Sequence, residues 1–263
     1  MNGIKYLLKF GKKNHIEEFV KGSLYCSNAK TFWGIEENQK IKGQGDILEA
    51  GSKVFAQRVE MQSNSDGDTI IFDGRSNILL HFEPAANIPV FCLFSVYDDD
   101  CIIDKSGKYV INISKKKQEI IRKHFPNADT VAIISDPNEF IEDIASSIGC
   151  SVKYDQVHYF NIDKGLPISN SSNTAMDHEY ALYIMQDTPP IKVNGGKMYT
   201  LKAEYIYRVL FCKDVYFMDE QEFRIVLPNE TITKGRHYPV KIQENIEIMS
   251  IENFFKSIND NNF

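Results

Sequence analysis

Asp219-Glu220-Gln221-Glu222-Phe223-Arg224-Ile225-Val226-Leu227 sets an acidic pair at the head of an alternating apolar run. A strand points successive side chains to opposite faces, so Phe223, Ile225 and Leu227 would meet a core while Glu220, Glu222 and Arg224 share the other side. Two carboxylates close together on one rigid face suit group or glycosyl transfer, where one meets developing positive charge and the other moves a proton. The same pattern also describes a half-buried strand with a solvated face, on which Arg224 pairs with a glutamate for at most about 1 kcal/mol.

Other residues carry weaker chemical signals. Ser95 shares its strand face with Phe91, Leu93 and Tyr97, a setting that suits a buried hydroxyl bonded to backbone as well as a site residue. Asp46-Ile47-Leu48-Glu49 has the spacing of a capping box and predicts a helix start. Asp98-Asp99-Asp100 reads as a charged turn, without the glycine-spaced loop of a calcium site. There is no P-loop, no G-x-G-x-x-G after a strand and no G-x-S-x-G, so kinase, dinucleotide-fold and hydrolase-elbow readings have no support.

The elements that must position these residues follow from periodicity. Ile4–Phe10 is a strand, Asn14 caps a short helix stopped by Gly22, and Ser23–Ser27 is extended again. Thr31–Glu36 holds the only tryptophan, and a glycine-broken loop follows it to Gly45. Lys53–Met61, Thr69–Phe72, Asn77–Phe82 and Pro89–Tyr97 read as a meander with turns at Ser65–Asp68 and Asp73-Gly74. Tyr109–Ile113 is a strand, Ser114 caps a helix to His124, and Asp129–Ile134 is a strand. Asp136-Pro137-Asn138-Glu139 opens a second helix, which Gly149 ends before a strand at Ser151–Phe160. A polar loop over Ser169–Thr174 leads to a helix at Ala175–Met185. Strands are expected at Lys202–Leu210, Glu222–Leu227, His237–Ile242 and Ile246–Met249, with a closing helix at Ile251–Ile258. The fold class is α+β, a mixed, mainly antiparallel sheet with peripheral helices.

Composition narrows the classes further. The 263 residues can bury a sizeable core. No stretch approaches the roughly 20 apolar residues of a membrane span, and the first residues lack the order of a signal peptide. These features predict a cytoplasmic protein with no membrane partner. The five cysteines (Cys26, Cys92, Cys101, Cys150, Cys212) are scattered and the six histidines dispersed, so neither a disulfide framework nor a metal site is expected. The net charge of −6 disfavours nucleic acid as the main partner, with Lys115-Lys116-Lys117 better read as a solvated helix face. Abundant Asn, Ile and Lys suit a low-GC bacterial or phage genome.

The order of short motifs adds a resemblance. Lys9-Phe10-Gly11, Gly22-Ser23-Leu24-Tyr25, Gly45-Asp46-Ile47-Leu48-Glu49, Phe91-Cys92-Leu93-Phe94-Ser95 and Glu220-Gln221-Glu222-Phe223-Arg224 are similar to a largely uncharacterised bacterial and phage family. That family carries a gD-x-x-E turn, a CFS-type strand and a late E-x-E-F-R strand in this order. The skeleton more distantly resembles the ADP-ribosyltransferase superfamily, whose sites combine a basic residue on the first strand, an aromatic-Ser on a second and a late E-x-E.

This resemblance implies NAD as substrate and no metal. Glu222 would hold the ribose 2′-hydroxyl and face the positive charge that develops as the nicotinamide bond breaks. Glu220 would orient or deprotonate the acceptor, and Ser95 would bond Glu222 or the nicotinamide amide. Phe94 or Tyr97 would stack on the ring, and Lys9 would contact the adenosine side or the pyrophosphate. Lys9 departs from the Arg or His of that superfamily, which make contacts an ammonium cannot. The long interval from Ser95 to Glu220 implies one domain over residues 1–263 with a strand–helix–strand insertion at about 105–165. The acceptor would be an intracellular macromolecule or target protein, in conflict between phage and host. Rival expectations are a non-enzymatic protein that sequesters a partner protein or nucleotide signal, and a nuclease-like toxin.

Overall fold

Apolar residues occupy both parities of the first strand and of Val90–Tyr97, and the structure, a computed structural model, buries both faces of each: Leu7, Leu8 and Val96 have no exposed surface. It describes residues 3–39, 45–62, 69–149, 151–163, 174–175, 177–198 and 200–260. The chain runs β1 (Ile4–Gly11), α1 (Lys13–Val20), β2 (Ser23–Cys26), α2 (Ala29–Gln39), β3 (Gly51–Gln62), β4 (Thr69–His81) and β5 (Val90–Tyr97). It continues with β6 (Cys101–Ile103), β7 (Tyr109–Ile111), α3 (Lys115–His124), β8 (Thr130–Ile134), α4 (Pro137–Ile148) and β9 (Lys153–Gln156). Then come β10 (His158–Phe160), β11 (Thr174–Ala175), α5 (His178–Met185), β12 (Ile191–Val193), β13 (Gly196–Met198) and β14 (Cys212–Asp214). β15 (Glu222–Val226), β16 (Arg236–Pro239), β17 (Glu247–Ser250) and α6 (Ile251–Asp260) follow. The architecture is mixed α/β with mainly antiparallel sheets; among the described residues the one parallel pair is β10 with β14.

Contacts divide the chain into two compact units, one of residues 1–31, 88–157 and 218–263, the other of 32–87 and 158–217. The first is built on a six-stranded sheet in the order β17-β8-β1-β5-β15-β9, all pairs antiparallel. On one face α1 and α4 bring Ile16, Phe19, Phe140, Ile141 and Ile144 onto Leu7, Phe91, Leu93, Phe223 and Ile225. On the other, α3 and α6 bring Ile121, Phe254, Phe255 and Ile258 onto Leu8, Phe10, Phe94 and Val96. Strands covered on both sides read as near-continuous apolar runs, as these do. Of the strands in the expected insertion, β8 and β9 lie in this sheet beside β1 and β15, whereas β7 pairs with β6 and β10 with β14.

The second unit holds the β11-β3-β4 sheet, the β10-β14 pair and the β12-β13 hairpin. Its interior includes Tyr180, Leu210 and Phe217, none with exposed surface. The Tyr180 hydroxyl donates to the Gly51 carbonyl at 3.1 Å.

Several local expectations give way to tertiary context. Lys202–Leu210 is not a strand: Ala203–Phe211 forms 3-10 turns, and their apolar side is buried. Residues 31–36 are helical within α2, whose start Asn28 caps by accepting from the Thr31 amide at 3.0 Å. Asp46–Glu49 begins no helix. It is a turn in which Asp46 Oδ1 accepts from the Leu48 amide at 2.9 Å, and β3 starts two residues after Glu49. A Cβ on Gly45 would lie 2.3 Å from the Glu36 nitrogen, so glycine is what lets that turn rest against α2. Asp73-Gly74 is no turn, because β4 runs through it with a register shift in its pairing to β3. Asn14 lies inside α1, whose N-cap position is Lys12. Ser151–Phe160 breaks at Val157 into β9 and β10. The expected Ser65–Asp68 turn lies outside the described residues, as does most of the Ser169–Thr174 loop. Among the described residues no helix is long and apolar enough to cross a membrane.

Candidate functional site

Three neighbouring strands of the six-stranded sheet, β1, β5 and β15, carry Lys9, then Phe94 and Ser95, then Glu222. β1 and β5 pair from Ile4–Tyr97 to Leu8–Phe94, with a register shift between Ile4 and Tyr6. Past Leu8 the ladder stops, and Lys9 fills the split: its Nζ donates to the Cys92 carbonyl at 2.6 Å and lies 4.4 Å from the centre of the Phe91 ring. The ammonium thus takes over a carbonyl that the ladder leaves free, with added attraction from the ring face. Burial lowers the Lys9 pKa below its ordinary 10.5, while the Cys92 thiol and Glu222 carboxylate partly restore it. Lys9 and Glu222 are therefore within electrostatic reach across β5.

Glu222 is 8% exposed and stands opposite Phe94 in the ladder. Its carboxylate makes a two-pronged pair with Arg224, Nε to Oε1 at 2.9 Å and an Nη to Oε2 at 3.1 Å. Arg224 is 1% exposed. The polar side of this strand is consequently a buried ion pair and not a solvated face. In such a place breaking the pair costs far more than at a surface. Cys92 shares the neighbourhood. Burial pushes its thiol well above the usual range, with Glu222 adding to the rise and Arg224 and Lys9 opposing it. Burial likewise takes Cys26 up to about 12 against a smaller opposing pull from Lys9.

Glu220 is not on the strand with Glu222. The chain turns through Gln221 at φ +42, so Glu220 ends a 3-10 turn and the shared face expected for the two carboxylates does not form. Gln221 is held in that left-handed conformation by its side chain, which donates to the Ser95 carbonyl at 2.9 Å and to Asp100 Oδ2 at 3.0 Å. Glu220 instead meets His124 at the end of α3, with Oε1 3.2 Å from Nδ1.

Ser95, Phe94 and Tyr97 separate by parity. Phe94 points into the apolar layer under α3 and α6, edge-on to Phe10 with centroids 5.8 Å apart. Ser95 faces the opposite layer with no exposed surface, and its Oγ makes no hydrogen bond of ordinary length. It still lies near enough to the Tyr97 phenol to favour the phenolate, although burial outweighs this and raises the Tyr97 pKa. The Tyr97 hydroxyl donates to Gln156 Oε1 at 3.1 Å. The structure thus sets Lys9, Ser95 and Tyr97 on the α1 and α4 side of the sheet and Glu222 on the α3 and α6 side with Phe94, so it does not bring the candidates together on one face.

None of the six candidates lines the open groove of about 480 Å³ formed by Val20, Lys21, Ser147 and residues 239–242. Asp98 and Asp100 are tied to Lys5 and Lys117 at 2.9 and 2.5 Å. Among the described residues no group of three or more His, Cys, Asp or Glu is placed to hold a metal ion. Sequence spacing missed Cys92, Gln221 and His124. The left-handed Gln221 has no signal in its residue type, and His124 meets Glu220 only through the packing of α3. Comparison with protein-family models, curated proteins and solved structures found no match to this chain.

Proposed function

We propose that the protein is an NAD-consuming, ADP-ribosyltransferase-like enzyme with Glu222 as its working carboxylate and an intracellular macromolecule as acceptor. The observation that supports this reading is the adjacency of β1, β5 and β15, which sets a basic, an aromatic-Ser and a glutamate residue on neighbouring strands. On this reading Arg224 is the cation that meets the pyrophosphate and Glu222 stabilises the ribose as it becomes cationic, while Lys9 stands on the other side of the sheet. The Glu222–Arg224 pair must open for the 2′-hydroxyl to take one carboxylate oxygen. A role in conflict between phage and host rests on the motif resemblance alone.

The burial of Glu222, Ser95 and Phe94 favours a second reading. In it the same residues brace the sheet, and the protein acts by holding a partner protein or nucleotide signal. Calorimetric titration with NAD, paired with an assay for nicotinamide release, separates the two. The enzymatic reading expects binding and a release that Glu222→Gln abolishes while leaving the unfolding curve intact. Neither binding nor release from the native protein would select the second reading.

A further inference from the structure

The carboxylate of Glu220, excluded from the strand, is committed to a histidine. His124 Nδ1 lies 3.2 Å from Glu220 Oε1, and the two side chains are 15% and 12% exposed. An ionised carboxylate only accepts hydrogen bonds, so a neutral ring that turns an Nδ1 proton to Glu220 leaves the Nε2 lone pair free to take another. An imidazole oriented in this way by a carboxylate is the form in which histidine takes protons from nucleophiles.

Glu220 lies two residues before Glu222 in the chain, and the same helix has a second grip on this segment. Lys117, about two turns before His124 on α3, pairs with Asp100 at 2.5 Å. The other Asp100 oxygen accepts from Gln221 Nε2 at 3.0 Å. Helix α3 therefore holds Glu220 directly and Gln221 through Asp100, the two residues that precede Glu222. Of the other cations in the last turn of α3, Arg122 is engaged over the Phe255 ring at 4.6 Å.

We propose, resting on the enzymatic reading above, that His124 Nε2 accepts the proton of the attacking group and that the acceptor is a hydroxyl, water being the simplest. In the step the bond from C1′ of the ribose to the nicotinamide nitrogen breaks, and its electron pair leaves with neutral nicotinamide. The hydroxyl oxygen forms the new bond to C1′, and its proton passes to Nε2 and then to solvent. Glu220 acts through His124 as a positioning residue.

The test is nicotinamide release from NAD in water by the full chain. His124→Asn keeps an N–H donor near the place of Nδ1 but has no basic nitrogen. It is expected to lower kcat by about 10²–10⁴-fold with KM and the unfolding curve little changed. His124→Ala is expected to regain activity with added imidazole, which a purely structural histidine would not. Native kcat in His124→Asn overturns the proposal and leaves the enzymatic reading standing. A native protein that releases no nicotinamide removes both. Nitrogen-15 NMR of the native protein gives a check that needs no variant: a proton on Nε2 with Nδ1 bare would overturn the assignment.

Discussion

At the residue scale the decisive fact is that the polar groups of β15 are inside the protein. Arg224→Met would leave Glu222 buried without its guanidinium, at a cost of about 3–5 kcal/mol in urea unfolding. Adding Glu222→Gln to that variant should recover much of the loss, because no buried charge then remains at the pair. Additive losses in the double variant would mean the two side chains do not act as a unit. Lys9 has a pH signature. Its folded pKa lies below the ordinary 10.5, so between those values the unfolded chain binds more protons. The Lys9 contribution to stability therefore rises with pH across that window. Compared with Lys9→Met, the native protein should gain relative stability as pH rises toward 10.5, on the order of 1.4 kcal/mol per unit of displacement. A constant difference over that range would contradict the burial of the ammonium. The raised thiols of Cys26 and Cys92 should leave both unlabelled by iodoacetamide at neutral pH until the protein unfolds.

At the element scale, the end signals at Ser114, Asp136 and Gly149 hold up, while those at Asn14 and Asp46 and several longer assignments are renegotiated by neighbours. Asp136 caps α4 through the amides of Asn138 and Glu139 at 2.9 and 3.0 Å. The Asp136 amide itself donates to Glu244 at 3.0 Å, so the reciprocal half of the expected capping box is supplied from elsewhere in the chain. Asp136→Ala should cost about 0.5–2 kcal/mol. Gly22 is the more sensitive point. Its φ is +90, and a Cβ there would sit 2.1 Å from the Val240 carbonyl oxygen, where the Val240 amide also bonds Gly22 at 2.8 Å. Gly22→Ala should therefore lose more than the about 1–3 kcal/mol of backbone strain alone and should loosen β16 from β2. Thermal unfolding of the two variants ranks them, and a smaller loss at Gly22 would argue against the close approach. The hairpin of β12 and β13 follows from Asn194 and Gly195 at φ +43 and +83, the dihedrals of a tight two-residue turn.

At the scale of the whole molecule, a ligand that binds only the folded chain raises its stability by mass action. NAD at about 100 times its Kd should add about 2.7 kcal/mol and raise Tm. The rise should be smaller in Glu222→Gln if the 2′-hydroxyl contacts that carboxylate. An unchanged Tm over a wide range of NAD concentration would count against the enzymatic proposal and for the partner-holding one. The two covered faces of the central sheet explain why such changes at β15 should be felt globally. Phe223 and Ile225 serve the layer under α1 and α4, while the strand's other side holds the ion pair.

By itself the sequence determined where most strands and helices of the central unit lie. Ser114, Asp136 and Gly149 act on backbone groups within a few residues, and the apolar periods of Val90–Tyr97 and Phe223–Ile225 are local too. It also allowed a pairing of Arg224 with a glutamate, but on a solvated face. Only the tertiary structure decided the rest. Residues 203–211 have the composition of a strand, yet a buried apolar side is satisfied there by 3-10 turns. The acidic pair reads as one face, yet a left-handed Gln221, stapled to Ser95 and Asp100, divides it between a buried arginine and a histidine. The residues that set that turn lie more than a hundred positions away from it, beyond the reach of any periodic pattern.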